Sequence, residues 1–157
     1  MHIQQSFERN QIPLFEAFLA TPYDQATLDE GLGHHADELN TFSELCLRGS
    51  SGHCLHLLAP ILRELSQIND QRWLTLIAPP SALTQNWLRE AGLNRERILL
   101  LHPSAGQSAT ELAEHALSLG RSHTVISWLH PVQKTTRQRL AQAAHTGQAQ
   151  SLNISLS

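Results

Sequence analysis

The residues with the most chemical promise are Arg48-Gly49-Ser50-Ser51-Gly52-His53-Cys54, between a short apolar run and a long amphipathic segment. A nucleotide-binding α/β protein keeps its phosphate loop at such a junction. That loop requires G-x-x-x-x-G-K-[ST]: glycines free the backbone N–H groups, the lysine reaches the β- and γ-phosphates, and the hydroxyl holds Mg²⁺. Gly52 is in place, but His53 stands where the lysine belongs, Cys54 where the hydroxyl belongs, and Leu47 where the first glycine belongs. The runs that would carry the magnesium-side acid, Leu99-Leu100-Leu101 and Val125–Leu129, end in His102 and His130. The layout is that of a nucleotide-binding scaffold without its chemistry. It points to a protein whose surface is its function.

Other reactive side chains do not assemble into a site. His53 and His56 fall one helical turn apart and His34-His35 are adjacent, but no second ligand pair has zinc-site spacing, so no metal is expected. Cys54, beside histidines at a helix start, suits a lowered thiol pKa. No orienting acid accompanies it, so no catalytic residue is assigned. Ser50-Ser51-Gly52 can present backbone N–H groups to an anion without catalysis. Cys46 and Cys54 form neither a CxxC pair nor a disulfide framework.

Composition narrows the classes further. The 157 residues, 41% hydrophobic and 16% charged, fit one globular domain with a real core. Eleven basic against fourteen acidic residues give a net charge of −3, and aromatics are only 5%. Neither a positive field nor a base-stacking surface is present, so nucleic acid is not an expected partner. Residues 1–20 lack a basic segment followed by an apolar core, and no run approaches the roughly 18 apolar residues of a membrane span. A cytoplasmic protein with reduced thiols is expected.

The elements follow from periodicity. Thr21–Ser43 contains no lysine or arginine but holds Asp24, Asp29, Glu30, Asp37 and Glu38, so residues 1–41 read as an arm and acidic linker and 42–157 as the domain. Glu44–Arg48 predicts a strand. A helix follows over about 53–68 with Leu55, Leu58, Leu62 and Leu65 as its stripe, kinked or shortened at Pro60. Trp73–Ala78 is a strand closed by Pro79-Pro80. Ser81 then caps a helix ending at Gly92. Ile98–Leu101 reads as a strand buried on both faces. Ser108-x-x-Glu111 is a capping box for a helix stopping at Gly120. Thr124–Leu129 is a strand, 132–146 a helix stopped by Gly147, and Ala149–Leu156 a final, more exposed strand. This alternation predicts an α/β fold with a mainly parallel sheet and right-handed crossovers.

The stretch Arg72-Trp73-Leu74-Thr75-Leu76-Ile77-Ala78-Pro79, then Leu83, Trp87, Ala91-Gly92-Leu93 and Arg97-Ile98, is the most distinctive. With Val125-Ile126-Ser127-Trp128-Leu129 and Ala143-Ala144-His145-Thr146-Gly147, it resembles the SulA family of SOS-induced cell-division inhibitors over about residues 44–155. The resemblance implies a three-layer RecA-like fold without a nucleotide site, no enzymatic activity, no cofactor, and binding to FtsZ, the tubulin-like division GTPase, to stop its head-to-tail polymerisation. It carries the family's inhibition residues onto Arg72, Ile77 (a leucine in the family), Trp87 and Arg97 (a lysine in the family). It leaves open a homodimer and recognition by the Lon protease, although no counterpart of the C-terminal protease tail of some relatives is evident.

Strand starts add a further expectation. In a parallel sheet every strand begins on the same edge, so Arg72, Arg97 and Arg121 should line up there, opposite the degenerate phosphate loop. Arginine pairs bidentately with carboxylates, and the resemblance implies an acidic loop on the FtsZ polymerisation face. Capping of helix C-termini is the structural alternative for the arginines. Trp87 is spaced with Leu83 and Ala91 for either a core or a contact role. Ile77, Trp73 and Trp128 are expected in the core. A degenerate RecA-like nucleotide-binding regulatory protein, with a residual site at Gly49–Cys54, is the competing function.

Overall fold

The computed structural model describes residues 41–157, so the expected arm and acidic linker lie outside the described residues. Five strands and four helices alternate: β1 (Phe42–Leu47), α1 (Ser51–Ser66), β2 (Trp73–Ile77), α2 (Gln85–Glu90), β3 (Ile98–Leu101), α3 (Ala109–Ser118), β4 (Ser122–Ser127), α4 (Lys134–Gly147) and β5 (Gln150–Leu156). A 3-10 turn, Arg95–Arg97, leads into β3. The strands form one sheet in the order β1-β5-β4-β2-β3. Every pairing is parallel.

This order fixes the layers. The chain moves one way across the sheet from β1 to β2 to β3, then the other way to β4 and β5. With right-handed crossovers, α1 and α2 cover one face and α3 and α4 the other. On the second face Ile77 and Val125 pack with Ala113, Ala116, Leu117, Leu140, Ala143 and Ala144. On the first, α1 buries Leu55, Leu58, Ile61, Leu62 and Leu65.

Local expectations hold where side chains act on their own backbone. The Ser108–Glu111 capping box forms with both of its hydrogen bonds. Four details differ. Pro60 leaves α1 unbroken; it sits on the exposed side, where the His56 carbonyl it frees faces solvent. The second helix is capped by Thr84 rather than Ser81, its Oγ1 accepting from Trp87 N at 3.1 Å. Gly147 belongs to α4, and Gln148 takes the left-handed conformation, φ 50°, that glycine was expected to supply. A Cβ on Gly147 would lie 1.7 Å from the Leu117 carbonyl oxygen, so its glycine serves the crossing of α3 and α4.

The fourth difference is architectural. β5 is an interior strand, not an exposed one, and Ser151–Ile154 are buried between β1 and β4. Its asparagine is paired there. The Asn153 amide accepts from Ser127 Oγ (3.1 Å) and Leu129 N (2.8 Å) and donates to Leu129 O (3.0 Å).

Candidate partner-binding edge

The two edges of the sheet differ in what they offer. At the carboxyl edge, only residues 48–50 separate β1 from α1. Ser50 caps the helix by accepting from His53 N at 3.3 Å. Gly49 adopts φ 133°, and its N–H is spent on Ser157 O at 3.1 Å. Cys54 is buried with Sγ 3.9 Å from Gly49 O. This is a tight capped turn, too short to wrap a triphosphate. Among the described residues no group of three His, Cys, Asp or Glu side chains is placed to hold a metal ion.

At the amino edge the loops before β2, β3 and β4 are neighbours, because these strands are adjacent in the order β4-β2-β3. They carry Arg72, Arg97 and Arg121. Arg72 grips Asp70: Nε donates to both carboxylate oxygens (3.2 and 3.0 Å) and Nη2 to Oδ2 at 2.9 Å. The Asp70 carboxylate also accepts the Arg72 backbone N–H at 2.9 Å. These bonds hold its pKa at about 2, below the ordinary carboxylate value. Arg72 Nη1 reaches across to Gln148 O at 2.8 Å, joining the loops before β2 and β5. Arg97 Nη1 donates to the Asp70 carbonyl at 3.2 Å. Two residues 25 positions apart in sequence thus converge on one aspartate.

The neighbouring loop completes the edge. Trp73 N donates to Arg121 O at 2.9 Å, and the Arg121 side chain is exposed, with no hydrogen bond or ion pair among the described residues. The β2–β4 register shifts between Trp73 and Leu74, which makes His123 the extra residue of a β-bulge. His123 is 7% exposed, and burial lowers its pKa. Nearby Asp70 opposes that shift and Arg72 adds to it.

Two expected contact residues lie elsewhere. Ile77 is fully buried in the sheet core; its place as a partner contact is corrected to a packing role, because alternation along β2 turns it under α3 and α4. Trp87 is half-buried on α2, in the layer on the opposite face. Leu83 and Leu88, rather than the spacing through Trp87 and Ala91, supply the buried side of that helix.

The tryptophans expected in the core also need correction. Trp73 is 40% exposed, because β2 begins at this residue and its side chain overhangs the sheet edge. Trp128, just past the end of β4, is only partly buried, and its Nε1 is enclosed without a hydrogen-bond partner. The exposure of Trp73 is not written in its strand pattern. Its position beside an arginine at a strand start was the available clue.

The fold and its edges define a three-layer α/β protein with a tight capped turn at one sheet edge and an arginine-bearing loop cluster on the other. Comparison with known proteins gives the family. The description Cell division inhibitor SulA matches residues 41–151. SulA of Pseudomonas aeruginosa is 54% identical over 160 residues, covering 99% of each chain. SulA of Yersinia pestis strain Pestoides F is 34% identical over 93 residues, 59% of this chain and 54% of that one. The crystal structure of SulA from Pseudomonas aeruginosa superposes with a TM-score of 0.72 at 63% identity, covering 74% of this chain and 98% of that chain. The chain belongs to the SulA family of cell division inhibitors.

Proposed function

We propose that this protein inhibits division by binding FtsZ in the cytoplasm and blocking its head-to-tail polymerisation, without catalysing a reaction. The observation that supports this most is the gathering of Arg72, Arg97 and Arg121 on adjacent loops at one sheet edge. Arg97 and Arg121 keep guanidinium donors free for partner carboxylates. Arg72 fixes the loop from which the row projects.

The magnitudes are ordinary for such a contact. Sequestration at micromolar concentration needs about −8 kcal/mol, and a central anchor worth ~2 kcal/mol changes Kd about thirtyfold. Polymer sedimentation with FtsZ and GTP tests the reading. The wild-type protein is expected to move FtsZ from pellet to supernatant near equimolar ratio, less effectively as salt is added. Arg97→Glu and Arg121→Glu are expected to leave the pellet intact while retaining normal circular dichroism. A wild-type protein without effect on the pellet refutes FtsZ as the target. Full inhibition by both reversals refutes the edge as the surface.

A further inference from the structure

Three of the large apolar side chains that the protein leaves exposed belong to elements that end or begin toward one corner of the amino edge. Trp73 is 40% exposed, Leu99 37% and Leu119 54%. Strand alternation puts the first two on the same face: Trp73 and Thr75 share a side of β2, and Thr75 is paired with Leu99 of the edge strand β3. This is the face covered by α3, and Leu119 is the C-cap of that helix. The Trp73 N–H···O=C Arg121 bond holds the loop that follows Leu119 against the start of β2. Arg97 and Arg121, both exposed, flank the corner. The Asp70 carboxylate at this edge is already occupied by Arg72.

We infer that Trp73, Leu99 and Leu119 form the apolar anchor of the inhibitory contact, with Arg97 and Arg121 as its charged rim. This inference rests on the proposed function and names the residues that supply most of its binding energy. Its occupant is a protein surface presenting an apolar side chain surrounded by carboxylates, which under that function is the polymerisation face of FtsZ. Charge selects this partner over a second copy of the chain. A two-fold dimer through the corner would set Arg97 and Arg121 against their own counterparts, whereas an acidic partner neutralises both. Arginine around a rigid, partly exposed tryptophan is also the usual composition of an energetic centre.

Trp73 is preorganised for the role. Its backbone is fixed on the β4 side, by the Arg121 carbonyl and by pairing with Ser122, so binding orders only a side chain with two torsions. The arginine row alone would give a salt-sensitive contact of low affinity, because exposed ion pairs contribute little.

The test is a binding titration of full-length protein against FtsZ, together with its oligomeric state by analytical ultracentrifugation. Trp73→Ala and Leu99→Ser are expected to raise Kd about tenfold or more, and Leu119→Ser about fivefold. Leu57→Ser and Leu156→Ser, exposed apolar residues away from the corner, are expected to stay within about twofold. Leu119 lies outside helix and strand, so its variant keeps the test valid if a strand variant melts early. Normal binding by all three corner variants alongside loss in Arg97→Glu overturns the anchor and leaves the edge reading standing. Normal binding by corner and arginine variants alike overturns both, as does a wild-type protein that does not bind FtsZ. Conversion of a wild-type dimer to monomer by Trp73→Ala, with FtsZ affinity unchanged, assigns the corner to self-association and also overturns the inference.

Discussion

Arg72 closes its guanidinium on Asp70, two residues before it, instead of offering it freely to solvent. Arg72 is therefore a brace: it ties its own loop to Gln148 and fixes the aspartate to which Arg97 also bonds. A loss of inhibition on changing Arg72 reports the shape of the edge as well as a missing charge.

Asp70→Asn is accordingly expected to cost about 1 kcal/mol at neutral pH, since the pair is partly exposed. The folded-state pKa of Asp70 is depressed to about 2 from 3.8. The carboxylate's contribution is therefore complete above the unfolded value and is lost as pH falls from about 4 through 2. Urea unfolding at pH 7 and pH 2.5 checks this: the difference between wild type and variant should shrink at the lower pH. A constant difference means that Asp70 acts through the shape of its side chain and not its charge.

His123 gives a second pH dependence in a different window. Burial lowers its pKa from 6.5, with Asp70 opposing and Arg72 assisting, so the unfolded chain binds more protons as the medium becomes acidic. Its contribution is full above about pH 6.5 and declines as pH falls toward the lowered folded value. His123→Asn should flatten the fall of the urea midpoint between pH 7.5 and 5.5. An unchanged slope assigns that fall to other groups.

Gly147→Ala should be the most damaging single methyl in the domain. The new Cβ would strike the Leu117 carbonyl, with Gly120 N at 3.1 Å behind it, and both are backbone atoms that cannot rotate away. A cost of about 3 kcal/mol is expected, seen as a melting temperature lower by about 10 °C. A variant that melts within 2 °C of wild type, a shift worth about 1 kcal/mol or less, would show that α3 and α4 slide apart easily.

At the opposite edge, His53→Ala and Cys54→Ser should leave inhibition of FtsZ polymerisation unchanged, and the purified protein should turn over neither ATP nor GTP. Radiolabelled phosphate release measures this directly. Turnover that either substitution abolishes would restore a working site to the turn at Gly49–Cys54.

The sequence revealed the layered α/β plan, all five strands to within two residues and one capping box, because each is written in local spacing. It also placed the arginines on one edge, since parallel strands all begin on the same side. The residues that misled were those whose fate depends on distant partners. Ala149–Leu156 read as a more exposed strand, yet Asn153 is buried and bonded to Ser127 and Leu129. Trp73 read as core because large apolar residues in strands usually are; its exposure depends on where β2 starts. Gly147 read as a helix stop, whereas its lack of a side chain is used by a helix nearly thirty residues earlier in sequence.

The placement of β5 has a consequence for how the protein comes into being. Phe42 pairs with Ser151 and Leu47 with Leu156, and among the described residues β1 has no other neighbour in the sheet. During synthesis, the first strand therefore waits for residues 150–156 to emerge before it can join the other strands. Such distant pairing slows folding and leaves an unfinished edge open meanwhile. The place that β1 takes in the sheet therefore stays unfilled until residues 150–156 are made, whereas β2, β3 and β4, which carry the arginine edge, are all complete by residue 127.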